Sequence, residues 1–194
     1  VKPTVPLIGI ITRLVDQKGL DLVAHVLDEL LEEDVQIIVL GKGDRKYEDL
    51  FRSAHHKYPG KMSAHILYDA TLAQRIYASC DMFLMPSLFE PCGLSQIFSM
   101  RYGTVPIVRS TGGLKDTVVQ YDYVSGKGTG FVFENYNAHE MKDALLRAIA
   151  LYKDSARWGG LVKSCMTQDF SWNHAAAEYQ MLYSDIMRAY PDVV

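Results

Sequence analysis

The chain has 194 residues, 48% of them hydrophobic and 22% charged, with a formal net charge of -3. That balance excludes a disordered chain and supplies enough apolar surface for a full core without disulfide or metal staples. It also gives no bulk attraction to nucleic acid or an anionic lipid surface, and no apolar run approaches the roughly 20 residues of a membrane helix, so any anion site must be local. Three cysteines (Cys80, Cys92, Cys165) form an odd, sparse set without metal-ligand spacing, which points to a reducing compartment. The chain opens Val1-Lys2-Pro3, with neither Met nor an apolar leader, and reads as a piece cut from a longer protein.

Short apolar runs recur along the chain with helix-period segments between them. The runs are Val5 to Ile11, Val35 to Leu40, a weaker Ser63 to Tyr68, Met82 to Met85, Val105 to Val108 and Gly130 to Phe133. Several are apolar at every position, as strands covered on both faces are. The first helical segment carries the stripe Leu20, Val23, Ala24, Leu27, Leu30 and Leu31, with Glu29, Glu32 and Glu33 on its wet side. Arg45 to Lys57 is a polar second helix, Thr71 to Ser79 a third with Thr71 as its N-cap, and Leu94 to Tyr102 a fourth closed by Gly103. This alternation predicts right-handed βαβ units, hence an α/β fold with a doubly wound, mostly parallel six-stranded Rossmann-like sheet. From Ala138 onward only helix is predicted: a stripe Met141, Leu145, Ala148, Ile149 and Tyr152, a short helix around 156–166, and a last helix capped by Ser171. The stripe of that last helix (Tyr179, Leu182, Tyr183, Ile186, Met187, Tyr190) reads as core or interface. The glycine-bearing loop Ser125 to Gly130 reads as a solvated turn in preference to a ligand lid.

Ligands of open parallel sheets bind beyond the carboxyl ends of the strands. The first strand runs out into Arg13 and Lys18 on one loop before a helix, a pairing of a planar fork, a point charge and free helix N–H groups that suits a diphosphate; two solvated surface charges are the alternative. Gly41-Lys42-Gly43-Asp44 reads as a plain turn: it lacks the Gly-Lys-Ser/Thr of a P-loop and the third glycine of a dinucleotide fingerprint. The stretch from Pro86 to Gln96 is the most informative. Glu90 sits in a Pro-flanked loop, and the N–H groups of Leu94 and Ser95 open a helix unpaired, so together they suit sugar hydroxyls and a phosphate; Glu90 as a cap of its own helix is the alternative. Cys92 has no His near it in sequence and reads as a packed thiol. Thr111 to Thr117, with adjacent glycines, is an anion-friendly or backbone-contact loop in which Asp116 reads as a cap. Six scattered histidines and the absence of any Asp-x-Asp pair give no metal site.

Taken in order, Thr12-Arg13-Leu14 through Gln17-Lys18-Gly19, Pro86-Ser87 through Glu90-Pro91-Cys92-Gly93-Leu94-Ser95-Gln96, Tyr102-Gly103-Thr104 and Thr111-Gly112-Gly113-Leu114-Lys115-Asp116-Thr117 resemble the bacterial glycogen synthases and plant starch synthases. The resemblance runs through nearly the whole chain. It implies the GT-B architecture of two Rossmann-like domains around a cleft, with residues 1–194 as the C-terminal, nucleotide-sugar-binding domain and the acceptor domain absent. It further implies transfer of glucose from ADP-glucose to the non-reducing end of an α-1,4-glucan, with retention. By resemblance Arg13 and Lys18 bind the diphosphate, Glu90 with the backbone near Cys92 and Gly93 holds the glucose hydroxyls, the Leu94 and Ser95 amides take the distal phosphate, and Tyr68 lies near the adenine. Catalytic roles fall to Arg13, Lys18 and Glu90. Where many retaining enzymes of this architecture carry a second glutamate, this chain has Phe98, and the glycogen and starch synthases it resembles also lack that glutamate.

These residues also suggest a mechanism. A departing nucleoside diphosphate needs its charge met by fixed cations and N–H donors, and no second carboxylate is placed for a two-carboxylate scheme. The expectation is same-face substitution through an oxocarbenium-like state, without a metal or cofactor, the isolated domain being inactive. The partners implied are ADP or ADP-glucose and, through the missing domain, the glucan, with no nucleic acid and no membrane; the place is the bacterial cytoplasm, or a plastid if the source is a plant. The alternatives are another nucleotide-sugar GT-B transferase, such as a sucrose- or trehalose-forming enzyme, and a non-catalytic nucleotide-binding module.

Overall fold

The computed structural model describes residues 4–190, so the opening Val1–Pro3 lies outside the described residues. Six strands alternate with helices: β1 (Leu7–Ile11), α1 (Leu20–Glu32), β2 (Gln36–Leu40), α2 (Arg45–Lys57), β3 (Met62–His65), α3 (Ala70–Ser79), β4 (Met82–Met85), α4 (Ser95–Arg101), β5 (Val105–Arg109), α5 (Gly112–Thr117) and β6 (Phe131–Phe133). Three helices follow, α6 (Ala138–Tyr152), α7 (Ser155–Met166) and α8 (Trp172–Ala189). All strand pairings are parallel and the sheet order is β3-β2-β1-β4-β5-β6. The order reverses between β1 and β4, which is where a doubly wound sheet opens a crevice at its carboxyl edge.

Side chains alternate across the sheet as the two-residue period demands. Ile8, Ile10, Ile37, Val39, Met82, Leu84, Val105 and Ile107 share one large core with α1, α2, α6 and α7. On the other face Leu7 and Leu40 pack with Ile76 and Cys80 under α3, and Val108 packs with Leu114 and Val118 under α5. The predicted stripe of α1 is buried at Leu20, Val23, Leu27, Leu30 and Leu31, whereas Ala24 is exposed.

Three boundaries differ from the sequence reading. The N-cap of α3 is Asp69, not Thr71: the Asp69 carboxylate accepts the Leu72 N–H at 2.9 Å, placing the cap two residues earlier. β3 ends at His65, so Ile66, Leu67 and Tyr68 leave the ladder and run over the sheet edge. The fourth helix starts at Ser95 and stops at Arg101, with Gly103 in the left-handed region at φ +81 just beyond it. The Ser171 cap is present, its side chain accepting the His174 N–H. The loop from Ser125 to Gly130 is solvated only over its first half, where Asp122 accepts from the Val124 N–H and the Ser125 hydroxyl; Gly128, Thr129 and Gly130 are buried, Gly128 against the Tyr121 backbone. The α8 stripe is a correction to any core reading, for no residue of α8 is buried against the rest of the chain.

Candidate nucleotide-sugar site

The site is built by stapling two loops that lie 72 residues apart in sequence. Gly19 adopts φ +71 and approaches β4 so closely that a Cβ there would sit 2.0 Å from the Pro86 carbonyl oxygen. Only glycine permits both that conformation and that approach. The Leu88 N–H then donates to the Gln17 carbonyl at 3.0 Å, and the Gln17 amide donates to the Phe89 carbonyl at 3.2 Å. Behind the same loop, Asp16 accepts from Lys46 and from the Tyr47 hydroxyl, bonds that hold its carboxyl below the usual carboxylate range. The β1–α1 loop is thus fixed to α2 on one side and to the β4–α4 loop on the other.

The outcome is an ion pair of Lys18 Nζ with Glu90 Oε2 at 2.6 Å. Both side chains are largely buried, at 17% and 10% exposure, so solvent screens the pair far less than a surface bridge. The Ser87 hydroxyl donates to the same carboxylate oxygen at 3.2 Å. Glu90 does not cap its own helix: α4 begins at Ser95 after the N-cap Leu94, and among the described residues no side chain caps its N-terminal amides. Among the described residues neither the Leu94 nor the Ser95 N–H finds an acceptor. Lys18, Glu90, Gly93, Leu94 and Ser95 line one small pocket at the carboxyl edge of β1 and β4.

A larger cavity of about 500 Å³ adjoins it, the two sharing Ile11 and Thr12 as a common wall. Arg13, Lys42, Tyr68, Tyr77 and Phe98 line the larger one. Arg13 is exposed and its side chain forms no ion pair or hydrogen bond among the described residues, so its guanidinium is available to a ligand. Tyr68, on the sequence reading either a packed strand tyrosine or a residue near the adenine, is 90% exposed on the cavity rim and not packed. The structure therefore brings Arg13, Lys18, Tyr68, Glu90, Gly93, Leu94 and Ser95 to one side of the molecule.

Cys92 departs from expectation. Its thiol is exposed, with Sγ 3.5 Å from the Gly93 carbonyl, because the backbone of this residue is what the neighbouring loop packs against. A Cβ on Gly113 would lie 2.2 Å from the Cys92 carbonyl oxygen, and one on Gly112 2.1 Å from that of Glu90. The twin glycines are thus a backbone-contact loop, and the Gly113 N–H donates to the Glu90 carbonyl at 3.2 Å. Asp116 is not a cap: it is exposed in the last turn of α5, at the end of the helix where a carboxylate meets the unfavourable pole. Two supporting residues escaped the sequence reading. Arg109, at the end of β5, donates to the Ser87 carbonyl at 2.9 Å and to that of Leu88, holding the Glu90 loop from below. Gln96 is fully buried beneath Gly93. The strand-end rule that found Arg13 also covers Arg109; Gln96 stands in the Glu90–Gln96 motif, but its burial and its contacts leave no local pattern.

Among the described residues no cluster of His, Cys, Asp or Glu is arranged to hold a metal ion, and no helix is long and apolar enough to cross a membrane.

A six-stranded parallel sheet of this order with a nucleotide-sized cleft at its β1–β4 edge is one half of the GT-B architecture, as comparison with known proteins bears out. Residues 1–161 match the model of the family described as "Glycosyl transferases group 1", and the chain belongs to that family. Within it, the chain is 57% identical over 184 residues to a glycogen synthase of Desulforudis audaxviator, covering 94% of this chain and 37% of that protein. It is 52% identical over 186 residues to a glycogen synthase of Bacillus anthracis, covering 96% and 39%. Among solved structures, the catalytic domain of starch synthase IV from Arabidopsis thaliana, bound to ADP and acarbose, superposes with a TM-score of 0.85 at 38% identity, covering 95% of this chain and 39% of that one. A sucrose-phosphate synthase from Thermosynechococcus elongatus shares the fold, with a TM-score of 0.69 at 20% identity over 97% of this chain and 47% of that one. The chain spans just over a third of the length of the curated relatives it matches.

Proposed function

We propose that residues 1–194 are the C-terminal, nucleotide-sugar-binding domain of a glycogen or starch synthase, taking ADP-glucose for retaining transfer of glucose to the non-reducing end of an α-1,4-glucan. The observation that carries this reading is the Lys18–Glu90 pair, 2.6 Å apart, beside two unpartnered amides and a cavity rimmed by Arg13 and Tyr68. The ADP held by the starch synthase IV structure supports the choice of nucleotide. In this reading Arg13 and Lys18 meet the diphosphate, Tyr68 faces the adenine, Glu90 with the Cys92–Gly93 backbone holds the glucose hydroxyls, and the Leu94 and Ser95 amides take the distal phosphate.

The chemistry follows from what these groups are. The charge that develops on the departing diphosphate is met by two cations and fixed N–H donors that need no reorganisation, each such donor contributing about 3 kcal/mol. Among the described residues no second carboxylate lines the small pocket with Glu90, so a two-carboxylate hydrolase scheme lacks its partner. The bond between glucose C1 and the diphosphate oxygen breaks through an oxocarbenium-like state, the acceptor hydroxyl oxygen bonds to C1 on the same face, and its proton passes to the leaving phosphate oxygen. No metal is required by this scheme. The acceptor glucan would be held by a further domain outside these residues, and the reaction would run in the bacterial cytoplasm, or in a plastid for a plant protein.

Calorimetry with ADP, followed by a donor screen of ADP-, UDP- and GDP-glucose on the complete polypeptide, tests the reading. Binding of ADP and turnover preferentially with ADP-glucose are expected. A chain that ignores ADP, or a full-length enzyme that prefers UDP- or GDP-glucose, overturns it.

A further inference from the structure

Gln96 is fully buried, yet its side-chain amide has no apolar role to play. Its Nε2 donates to the Gly93 carbonyl at 2.9 Å, to the Thr117 hydroxyl at 3.1 Å and to the Cys92 carbonyl at 3.2 Å. Thr117 in turn donates to the Gly113 carbonyl at 2.6 Å, so its hydroxyl oxygen is free to accept from Gln96. The cost of this arrangement is visible at the other end of the amide, where Oε1 is buried without a partner. Turning the amide over would place that oxygen against two carbonyl oxygens, so the orientation is determined. A buried acceptor left empty in a native structure calls for an explanation.

The explanation lies in peptide geometry. In a planar trans peptide the C=O and the following N–H point in opposite directions. A Cys92 carbonyl drawn towards Gln96 aims the Gly93 N–H away from it, and a Gly93 carbonyl drawn the same way aims the Leu94 N–H away. Neither N–H has an acceptor among the described residues, and Gly93 and Leu94 line the pocket that holds Lys18 and Glu90. Gly93 must hold φ +73 to turn both planes together, and a Cβ there would collide with Gln96 Oε1 at 2.6 Å.

We propose that Gln96 is a positioning residue: one buried amide nitrogen fixes two consecutive peptide planes so that their N–H groups face the phosphate and sugar of the donor. This rests on the reading of the pocket given above. In the complete polypeptide, Gln96→Leu and Gln96→Met each remove the donor, the second at similar length. Calorimetry with two probes, ADP and adenosine, reads the effect. ADP affinity is expected to fall at least tenfold in each variant that folds, with adenosine affinity within twofold of the wild type. A variant that binds ADP as the wild type does, or one that loses ADP and adenosine equally, overturns the inference, the second outcome marking a purely structural residue. Should neither variant fold, Thr117→Val, which frees one anchor of the same amide, is expected to lower ADP affinity at least threefold with adenosine unchanged, and unaltered ADP affinity overturns the inference. A wild-type protein that fails to bind ADP overturns the parent reading itself, an outcome distinct from all of these.

Discussion

Two glycine-bearing loops at the carboxyl edge of the sheet do different work. In the β2–α2 loop, a Cβ on Gly41 would sit 2.0 Å from the Thr12 carbonyl oxygen and one on Gly43 2.4 Å from that of Leu14. The Leu14 N–H donates to the Lys42 carbonyl and the Asp44 N–H to the Leu14 carbonyl, so the parallel ladder simply continues past the strands. In the β4–α4 loop, Gly93 meets only the end of one side chain and turns its amides towards a pocket. A glycine between strand and helix reports that something comes close; the identity of that neighbour, backbone or ligand, separates a packing joint from a binding site.

The largest effects should therefore fall in the second loop and its partner. In the complete enzyme, Arg13→Ala and Lys18→Ala are each expected to reduce turnover at least a hundredfold, the loss of one preorganised charge donor. Lys42→Ala, in the packing loop, should change it less than tenfold, and steady-state kinetics decide. Glu90→Gln should abolish transfer while ADP affinity, read by calorimetry, persists; equal loss of both would move Glu90 from the sugar to the nucleotide.

Next come the glycines themselves. Gly41→Ala and Gly43→Ala push a methyl group into backbone and should cost about 1–3 kcal/mol or more in urea unfolding. Gly93→Ala carries the left-handed strain of about 1–2 kcal/mol but should lose proportionately more ADP affinity than stability. A third contrast concerns thiols. Burial pushes Cys80 and Cys165 up to about 12, while Cys92 stands exposed in the site loop. Alkylation of the native protein should label Cys92 alone, and denaturation should expose the other two, as peptide mass mapping would show.

The smallest effect concerns Asp81 at the start of β4. Burial raises its carboxyl above the ordinary value of 3.8, opposed in part by the Leu7 N–H and the Tyr152 hydroxyl. A folded value above the unfolded one gives a contribution that is complete below pH 3.8 and is lost as pH rises through the folded value. Asp81→Asn should flatten that slope in thermal melts between pH 4 and 7, the carboxamide oxygen still accepting from Leu7.

Much of this was legible in the chain. The apolar runs gave all six strands because fully covered parallel strands must be apolar on both faces, and Arg13, Lys18 and Glu90 followed from the strand-end rule. What escaped depended on distance in sequence or on choices between equals. Asp69 and Thr71 are both good caps, and only the exit path of β3 selects Asp69. The Lys18–Glu90 contact is made by Gly19 pressing on Pro86, a tertiary approach that leaves no local pattern. Cys92 was misread because a thiol is usually packed, whereas here the twin glycines pack its carbonyl. The α8 stripe has helical periodicity but meets no counterpart in these residues, and periodicity is silent on what covers a face.

The 2.6 Å bridge between Lys18 and Glu90 has one more consequence, for selectivity. Each group cancels the other's charge, so a lone sulfate or inorganic phosphate approaching this spot must compete with a carboxylate already in place and brings nothing to occupy the acid it displaces. A molecule carrying a phosphate and a sugar together supplies both an anion for the ammonium and hydroxyl donors for the carboxylate. On the reading proposed above, the bridge would act as a two-key lock, discriminating against abundant small anions by demanding that both of its halves be satisfied in one encounter.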